Sequence, residues 1–563
     1  MKISQINNLL ELFFLEYDKQ DKKRLFLSSL KQNSYKLTWE ETYKNIFKLT
    51  KEIKKHIEKK DRCLLISENR PEWLISDLSI MMAGGITVPA YTTYTERDYE
   101  YIIDDCTPSL IFVSNLLQFK KIEKLIPKRS FIKKIIFFDH IDNLNLNIHE
   151  IFKNKEIIDF NMEYLKIERK DPACIIYTSG TQGNPKGVIL SHGGILNNCE
   201  GSKELLKPII SKNPKFLTWL PLSHSYEHTV QFVQIAVGAK IFYAESVEKL
   251  IQNMNKCSPE IMTAVPRFYQ NIYHKIKSNF EKTKGFKKTL IEQTIYLGKK
   301  RLLKKKLSLI DRFLNLIYEK IIRKKIQKQF GGNLKAFVSG GGALDKDVGL
   351  FLNAIGLPTL QGYGLTETSP VVSCNSISDI RVETVGIPFK TNLVKIANDG
   401  EIMIKGENVM LGYWNNQEET DKVLKDGWLS SGDIGEFDGH FLKITDRKKD
   451  IIITPGGENI SPVKIESDLN KSNFIEQSLV YGDNKPYLVS LLVLNSEYKK
   501  LDNKKIHAEV EKINTKLSNI EKIKKFFIVE DQFTIENGMM TPTLKLKRYK
   551  IVKKFKTEFE KLY

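Results

Sequence analysis

Residues 173–188 read ACIIYTSGTQGNPKGV. An apolar, β-prone run, Ala173 to Ile176, leads directly into a loop of glycine, serine and threonine. A strand that opens into such a loop lets backbone N–H groups and hydroxyls converge on phosphate oxygens. Gly180, Gly183 and Gly187 permit close approach of the main chain, and Lys186 supplies a compact positive charge. Pro185 stands where a Walker A loop needs the glycine before its lysine, so a P-loop GTPase or ATPase is disfavoured.

Outward from this loop, short apolar runs at 63–67, 110–113, 135–138 and 336–338 alternate with helical patterns, which predicts α/β units across 64–373. The stretch 274–330 predicts helix. It lacks proline, has only Gly285 and Gly298, and spaces Leu303, Leu307, Ile310, Leu314 and Ile317 at three or four residues. From 391 to 444 the pattern turns to short strands, with Asn-Asp-Gly and Asp-Gly turns at Asn398 and Asp426. Strands and then basic helix fill 446–563. The 563 residues exceed what one core of ~250–300 residues accommodates. The expected architecture is therefore α/β: a large N-terminal domain of mixed α/β subdomains, 1–445, and a small α+β C-terminal domain, 446–563. No internal repeat is visible.

Six scattered cysteines offer no zinc or redox pairing and read as buried thiols in a reducing compartment. No run reaches the ~18 apolar residues of a membrane span. The best, 75–91, is broken by Asp77, Gly84, Gly85 and Pro89. The N-terminus lacks a basic start followed by a clean apolar stretch, so the expectation is a cytoplasmic protein. The net charge of +20 is concentrated: 275–328 holds 18 Lys/Arg against Glu281, Glu292, Asp311 and Glu319. That excess suits anionic lipid headgroups at the inner face of a membrane, suits nucleic acid less well, and also reads as a solvated helical face. Nucleic acid is not the expected partner.

Further motifs follow in order: WLPLSHSYEH at 219–228, VSGGGAL at 338–344 and LQGYGLTETSP at 360–370. After these come GEIMIKGENVMLGYW at 400–414, WLSSGDIG at 428–435, DRKKDIIITPGGENISP at 446–462 and TPTLKLKR at 541–548. Together with the glycine-rich loop they resemble the acyl-adenylate-forming superfamily from about residue 37 to residue 548. The strings at 360–370 and 541–548 resemble its long-chain fatty-acyl-CoA synthetase branch.

That resemblance implies a ligase that uses ATP and magnesium to activate a fatty acid as acyl-AMP, with pyrophosphate leaving, then transfers the acyl group to coenzyme A. It implies phosphate contacts from Thr178, Ser179, Gly180, Thr181, Gly183, Lys186 and Thr366, and magnesium held by Thr178 and Glu367. Tyr363 corresponds to the adenine-stacking aromatic, with Gly341, Gly342, Gln361 and Gly362 around the base and Gly364 also in the nucleotide site. Asp433 would take the ribose hydroxyls and Arg447 would donate nearby. Lys449 corresponds to a pivot that makes the small domain mobile between adenylation and thioester formation, and 455–458 to part of the thiol tunnel. Lys545 corresponds to the adenylation lysine, although Leu544 replaces the glycine usual before it, and Lys547, Arg548 and Lys550 compete for the assignment. His224 resembles a gate of the acyl pocket. A structural role, or a metal site with His228, stays open. Homodimers are common in the family.

The alternative acceptor is a carrier protein, as in fatty acyl-AMP ligases or acyl-carrier-protein synthetases. The uninterrupted stretch 446–462 favours coenzyme A. A luciferase-like oxygenase shares these motifs but would need light output, of which the sequence gives no sign, and a non-enzymatic lipid or nucleic-acid binder fits the intact set of Glu367, Asp433, Arg447 and Lys545 less well.

Overall fold

The computed structural model describes residues 2–31, 36–141, 146–154, 166–178, 185–456, 458–498, 502–541 and 543–563. Packing divides the chain into two units, Met1–Val394 with Ile404–Leu429, and Lys395–Met403 with Ser430–Tyr563. These boundaries place the strands of 430–445 in the second unit, whereas the sequence pattern grouped them with the first domain.

The first unit holds two large sheets. One runs in the order Gly412–Tyr413, Lys186–Ser191, Pro172–Thr178, Ile86–Ala90, Arg62–Ile66, Leu110–Val113, Lys134–Phe137. Its strands from Pro172–Thr178 to Lys134–Phe137 are parallel, and Lys186–Ser191 pairs antiparallel with both Pro172–Thr178 and Gly412–Tyr413. The other sheet includes, in order, Val371–Cys374, Thr359–Gly364, Ala336–Ser339, Ile261–Ala264, Lys215–Thr218 and Lys240–Tyr243. The last five of these are parallel. Parallel strands buried on both faces need continuous apolar sequence, which the runs at 63–66, 110–113, 261–264 and 336–339 supply. In such sheets ligands gather beyond the carboxyl ends of the strands. Residues 219–224, 340–344 and 365–367 follow the ends of Lys215–Thr218, Ala336–Ser339 and Thr359–Gly364, and Thr178 ends its own strand.

The basic stretch is helical, as the pattern predicted, but in pieces: Pro266–Glu281, Phe286–Leu302, Leu309–Tyr318, a π turn at Glu319–Arg323, and Lys324–Lys328. Gly285, at φ 62°, separates the first two. At 426–427 Asp and Gly both take positive φ, 52° and 75°, as a tight hairpin turn into Trp428–Asp438 requires.

In the second unit, Ile475–Tyr481, Leu488–Leu494 and Ile523–Val529 form a sheet. Leu488, Leu492 and Leu494 pack with Ile465, Ile506 and Val510. Alternate residues Val489, Leu491 and Val493 pack with Phe533, Met540 and Ile551. A central strand sandwiched by helices explains why its sequence is apolar at nearly every position. All six cysteines are buried thiols. No described helix is long and apolar enough to cross a membrane.

Candidate active site

In the first unit the strand Gly412–Tyr413 pairs with Lys186–Ser191 at Tyr413↔Val188 and Gly412↔Ile189. This register brings one tyrosine between two predicted site residues. The Tyr413 hydroxyl donates to Glu367 Oε1 at 2.9 Å, and the Lys186 ammonium stands 5.0 Å from the centre of its ring. The backbone repeats the link: Met410 N–H donates to Glu367 O at 2.9 Å, and Trp414 N–H to Gly187 O at 2.7 Å. Lys186 is also ion-paired with Glu419. The hydrogen bond from Lys186, then that from Lys422, holds the Glu419 carboxyl down at about 2.

Glu367 stands in the single turn Thr366–Thr368 after Thr359–Gly364. The hairpin there is so tight that a Cβ on Gly364 would lie 1.7 Å from Pro370 O, so glycine is required. Thr366 Oγ1 is 3.1 Å from Ser225 Oγ at the start of helix Ser225–Ala236. His224 caps that helix, its Nδ1 accepting from Tyr226 N–H at 3.1 Å. His228 turns elsewhere, to Asp77 Oδ2 at 2.8 Å, which gives it a structural role apart from His224. Gln361 Oε1 accepts from Leu344 N–H at 3.0 Å, so its side chain anchors the loop that carries Gly341 and Gly342. A Cβ on Gly340 in that loop would meet the Tyr226 ring at 2.8 Å. Gly362 and Tyr363 lie on the adjacent strand, since Ser339 is in register with Gln361. Ser179, Gly180, Thr181 and Gly183 lie outside the described residues, as does Gly457 of the 455–458 stretch. Thr178 sits at the end of its strand, its Oγ1 3.4 Å from Lys186 O.

The second unit assembles a different group. Strands Trp428–Asp438 and Phe441–Arg447 pair with Asp433 opposite Arg447, whose Nε is 3.5 Å from Asp433 Oδ1. Asp433 is nearly buried and Arg447 is not. Lys448 bonds Asp399 and Glu401 at 2.7 and 2.9 Å, which fixes the neighbouring backbone and leaves Lys449 as the exposed residue next in line. Lys545 is pinned through its backbone: its N–H donates to Thr541 Oγ1 at 3.0 Å, and Thr541 N–H donates to Lys545 O at 2.8 Å. Although the residue is exposed at its surface, its ammonium pKa is lowered to about 8. Loss of solvent is the main cause, the Arg447 charge adds to it, and Asp433 and Asp450 oppose it. Arg548, a competing cation by sequence, is committed to Glu466 by two bonds of 2.7 and 2.8 Å. Leu544 keeps the backbone a glycine would have, at φ 62°, while its side chain packs on the unit's core.

The family described as AMP-binding enzyme matches residues 16–414. The chain belongs to that family. The description AMP-binding enzyme C-terminal domain matches 449–563. Among relatives, the long-chain-fatty-acid–CoA ligase FadD15 of Mycobacterium bovis is 29% identical over 89% of this chain and 88% of its own. The rat long-chain-fatty-acid–CoA ligase 5 is 31% identical over 89% and 79%. An Arabidopsis thaliana long-chain-fatty-acid–[acyl-carrier-protein] ligase, AEE15, is 30% identical over the same shares. Among solved structures, the anthranilate CoA ligase AuaEII with anthranoyl-AMP aligns at a TM-score of 0.78, 18% identity, covering 98% of this chain and 99% of that one. ATP-bound MatB from Rhodopseudomonas palustris aligns at 0.74, 20% identity, covering 98% and 100%. These two agree in fold.

Tyr413, Glu419 and Ser225 of this family member were not singled out by sequence. Tyr413 lies inside the 400–414 string with nothing local to mark its role, and Glu419 sits in a polar run, 415–422, that nothing distinguishes from a solvated helix. Glu227, between His224 and His228, fits no metal pattern and carries no site role by sequence. It is fully buried, accepts from Thr263 Oγ1 at 2.6 Å, and is raised to about 8 by loss of solvent.

Proposed function

We propose that the chain is an ATP-dependent acid:thiol ligase that joins a long-chain fatty acid to coenzyme A through an acyl-adenylate, releasing AMP and pyrophosphate. The observation that carries this reading is the grouping of Asp433, Arg447 and Lys545 on one unit, with Arg447 Nε 3.5 Å from Asp433 Oδ1 and both charges acting on Lys545. Such a group suits the anionic centre where a carboxylate oxygen attacks the α-phosphorus of ATP and the bond to pyrophosphate breaks.

In this mechanism Asp433 accepts from the ribose hydroxyls and Tyr363 stacks on adenine beside Gly341, Gly342, Gly362 and Gly364. Lys186 exchanges Glu419 for phosphate oxygens. Thr366, with the loop residues Thr178, Ser179, Gly180, Thr181 and Gly183, donates to those oxygens. Tyr413 holds the Glu367 carboxylate in place. Among the described residues no three His, Cys, Asp or Glu side chains cluster as a protein-only metal cage. One carboxylate and a hydroxyl are what magnesium needs when phosphate and water complete its shell. Glu367 and Thr178 would hold that ion, which would neutralise charge on the departing phosphates. His224, fixed as a helix cap, borders the site as the gate of the acyl pocket.

Lys545 must then withdraw for the thiol to enter, with Lys449 as the pivot and 455–458 along the thiol path. If Lys449→Pro impaired both half-reactions equally, the pivot would be wrong. Coenzyme A is favoured over a carrier protein by the unbroken stretch 446–462 and by the names of the FadD15 and rat relatives. A homodimer is carried from the family alone, and a cytoplasmic location from the sequence.

Pyrophosphate release from ATP that depends on added palmitate tests the reading. Thioester found only on a holo-carrier protein would shift the acceptor, and no acid-dependent exchange of pyrophosphate into ATP would end it.

A further inference from the structure

Large apolar side chains stand exposed in the most basic part of the chain. Helix Leu309–Tyr318 starts at a capping box, Ser308 with Asp311, and Asp311 also takes Lys300 at 2.7 Å. Its far end is bolted down by Arg323, fully buried, which donates to Ala354 O at 2.7 Å, to Thr294 O at 3.2 Å and to Glu319 at 3.2 Å. With the inward side fixed, the outward side is built to stay outward. It shows Leu309 (82% exposed), Ile310 (71%), Phe313 (64%) and Leu316 (67%), with Ile321 (55%) beyond them and Leu303 (47%) in the approach. Spacings of three, four and seven put the helix residues on one stripe. Scattered exposed leucines are ordinary, but a contiguous stripe marks an interaction surface.

The stripe is rimmed by exposed cations: Lys305 and Lys306 in the turn before it, Arg312 on its flank, and Lys320, Lys324 and Lys325 after it. Charge decides the occupant. A second copy would set two rims of like charge against each other. Nucleic acid would satisfy the lysines and leave leucine, isoleucine and phenylalanine against phosphate. An anionic bilayer satisfies both, with apolar side chains among the acyl tails and lysines at the level of the headgroups.

We propose that Leu309–Tyr318 is an interfacial docking helix that lies in the surface of an anionic membrane with this stripe inserted. The inference is independent of how the adenylate site works.

The test is co-sedimentation of the full chain with phosphatidylcholine vesicles with or without about 30 mol % phosphatidylglycerol. Paired with it are Phe313→Asp/Leu316→Asp and Lys305→Glu/Lys306→Glu. Both sets change exposed residues, and melting curves would verify the fold. Each variant is expected to weaken binding to anionic vesicles by about tenfold or more, with activity on a water-soluble short acid unchanged. A Leu316→Trp variant is expected to blue-shift on those vesicles and to be quenched by brominated acyl chains. Binding indifferent to anionic lipid, or unaffected by the aspartates, would overturn the proposal. So would an unshifted tryptophan, an aspartate-sensitive dimer without lipid, or tighter binding to RNA.

Discussion

Two lysines of this chain, Lys186 and Lys545, face opposite electrostatic situations. Lys186 begins in balance, paired with Glu419 and lying by the Tyr413 ring. Lys545 is out of balance: partial loss of solvent and repulsion from Arg447 outweigh Asp433 and Asp450, and its pKa falls to about 8. A balanced cation must exchange one anion for another when phosphate arrives, so its net gain is small. An unbalanced one gains the whole interaction. The difference teaches that Lys545 has more to gain from an arriving anion than Lys186, which already holds Glu419.

The strongest way to break this comparison is Lys545→Ala. Acid-dependent exchange of pyrophosphate into ATP is expected to fall by about 10²–10³-fold, as for loss of a preorganised charge. Thioester formation from preformed acyl-AMP should fall far less, and equal losses in both would contradict the assignment. The pH profile sharpens it. Raising pH through about 8 neutralises Lys545, so kcat/KM for adenylation should decline on the alkaline side with that pKa. Lys545→Arg should move the decline to higher pH.

A smaller change is expected on the balanced side. Glu419→Gln releases Lys186, and KM for ATP should drop a few-fold, whereas Lys186→Ala should raise it. Should Glu419→Gln weaken ATP instead, the carboxylate positions the lysine rather than competing for it. Tyr413→Phe removes one hydrogen bond to Glu367, and the magnesium concentration for half-maximal rate should rise by about fivefold, in line with about 1 kcal/mol for such a bond.

The smallest effect at neutral pH is expected away from both lysines. Glu227, raised to about 8, carries a proton in the fold that the unfolded chain loses in the ordinary carboxylate range. Stability of the wild type should therefore fall, relative to Glu227→Gln, as pH rises from about 4.5 to 8. Activity at pH 7 should differ little. Parallel melting curves across that range would contradict a protonated Glu227.

Much of this was readable in the chain. The strand and glycine-rich loop at 173–188, the Asp-Gly turn at 426–427 and the helical stretch around 274–330 are local patterns with local causes. Lys545 could be singled out, but not separated from Arg548 by pattern alone. The structure separates them because Glu466, eighty-two positions away, claims Arg548. The departure at Leu544 was visible too, while its meaning was not. The backbone keeps φ 62° there, a conformation that costs a branched or bulky side chain energy, and packing on the core holds it. The basic stretch read equally as a solvated face or a docking surface, because one-dimensional spacing does not say which apolar residues face in. Arg323 and Tyr318 settle the inward side, and the exposed stripe follows from it.

The sequence by itself determined the α/β character, the motif order and the types of residue that can hold a nucleotide, since hydrogen-bonding capacity, charge and turn preference are properties of short segments. Tertiary structure alone decided which charges are compensated. Tyr413 reaches Glu367 and Lys186 through strand register, and Lys545 meets Arg447 through the fold of the second unit. Coulomb interaction and desolvation depend on distance in space, and chain separation does not encode it.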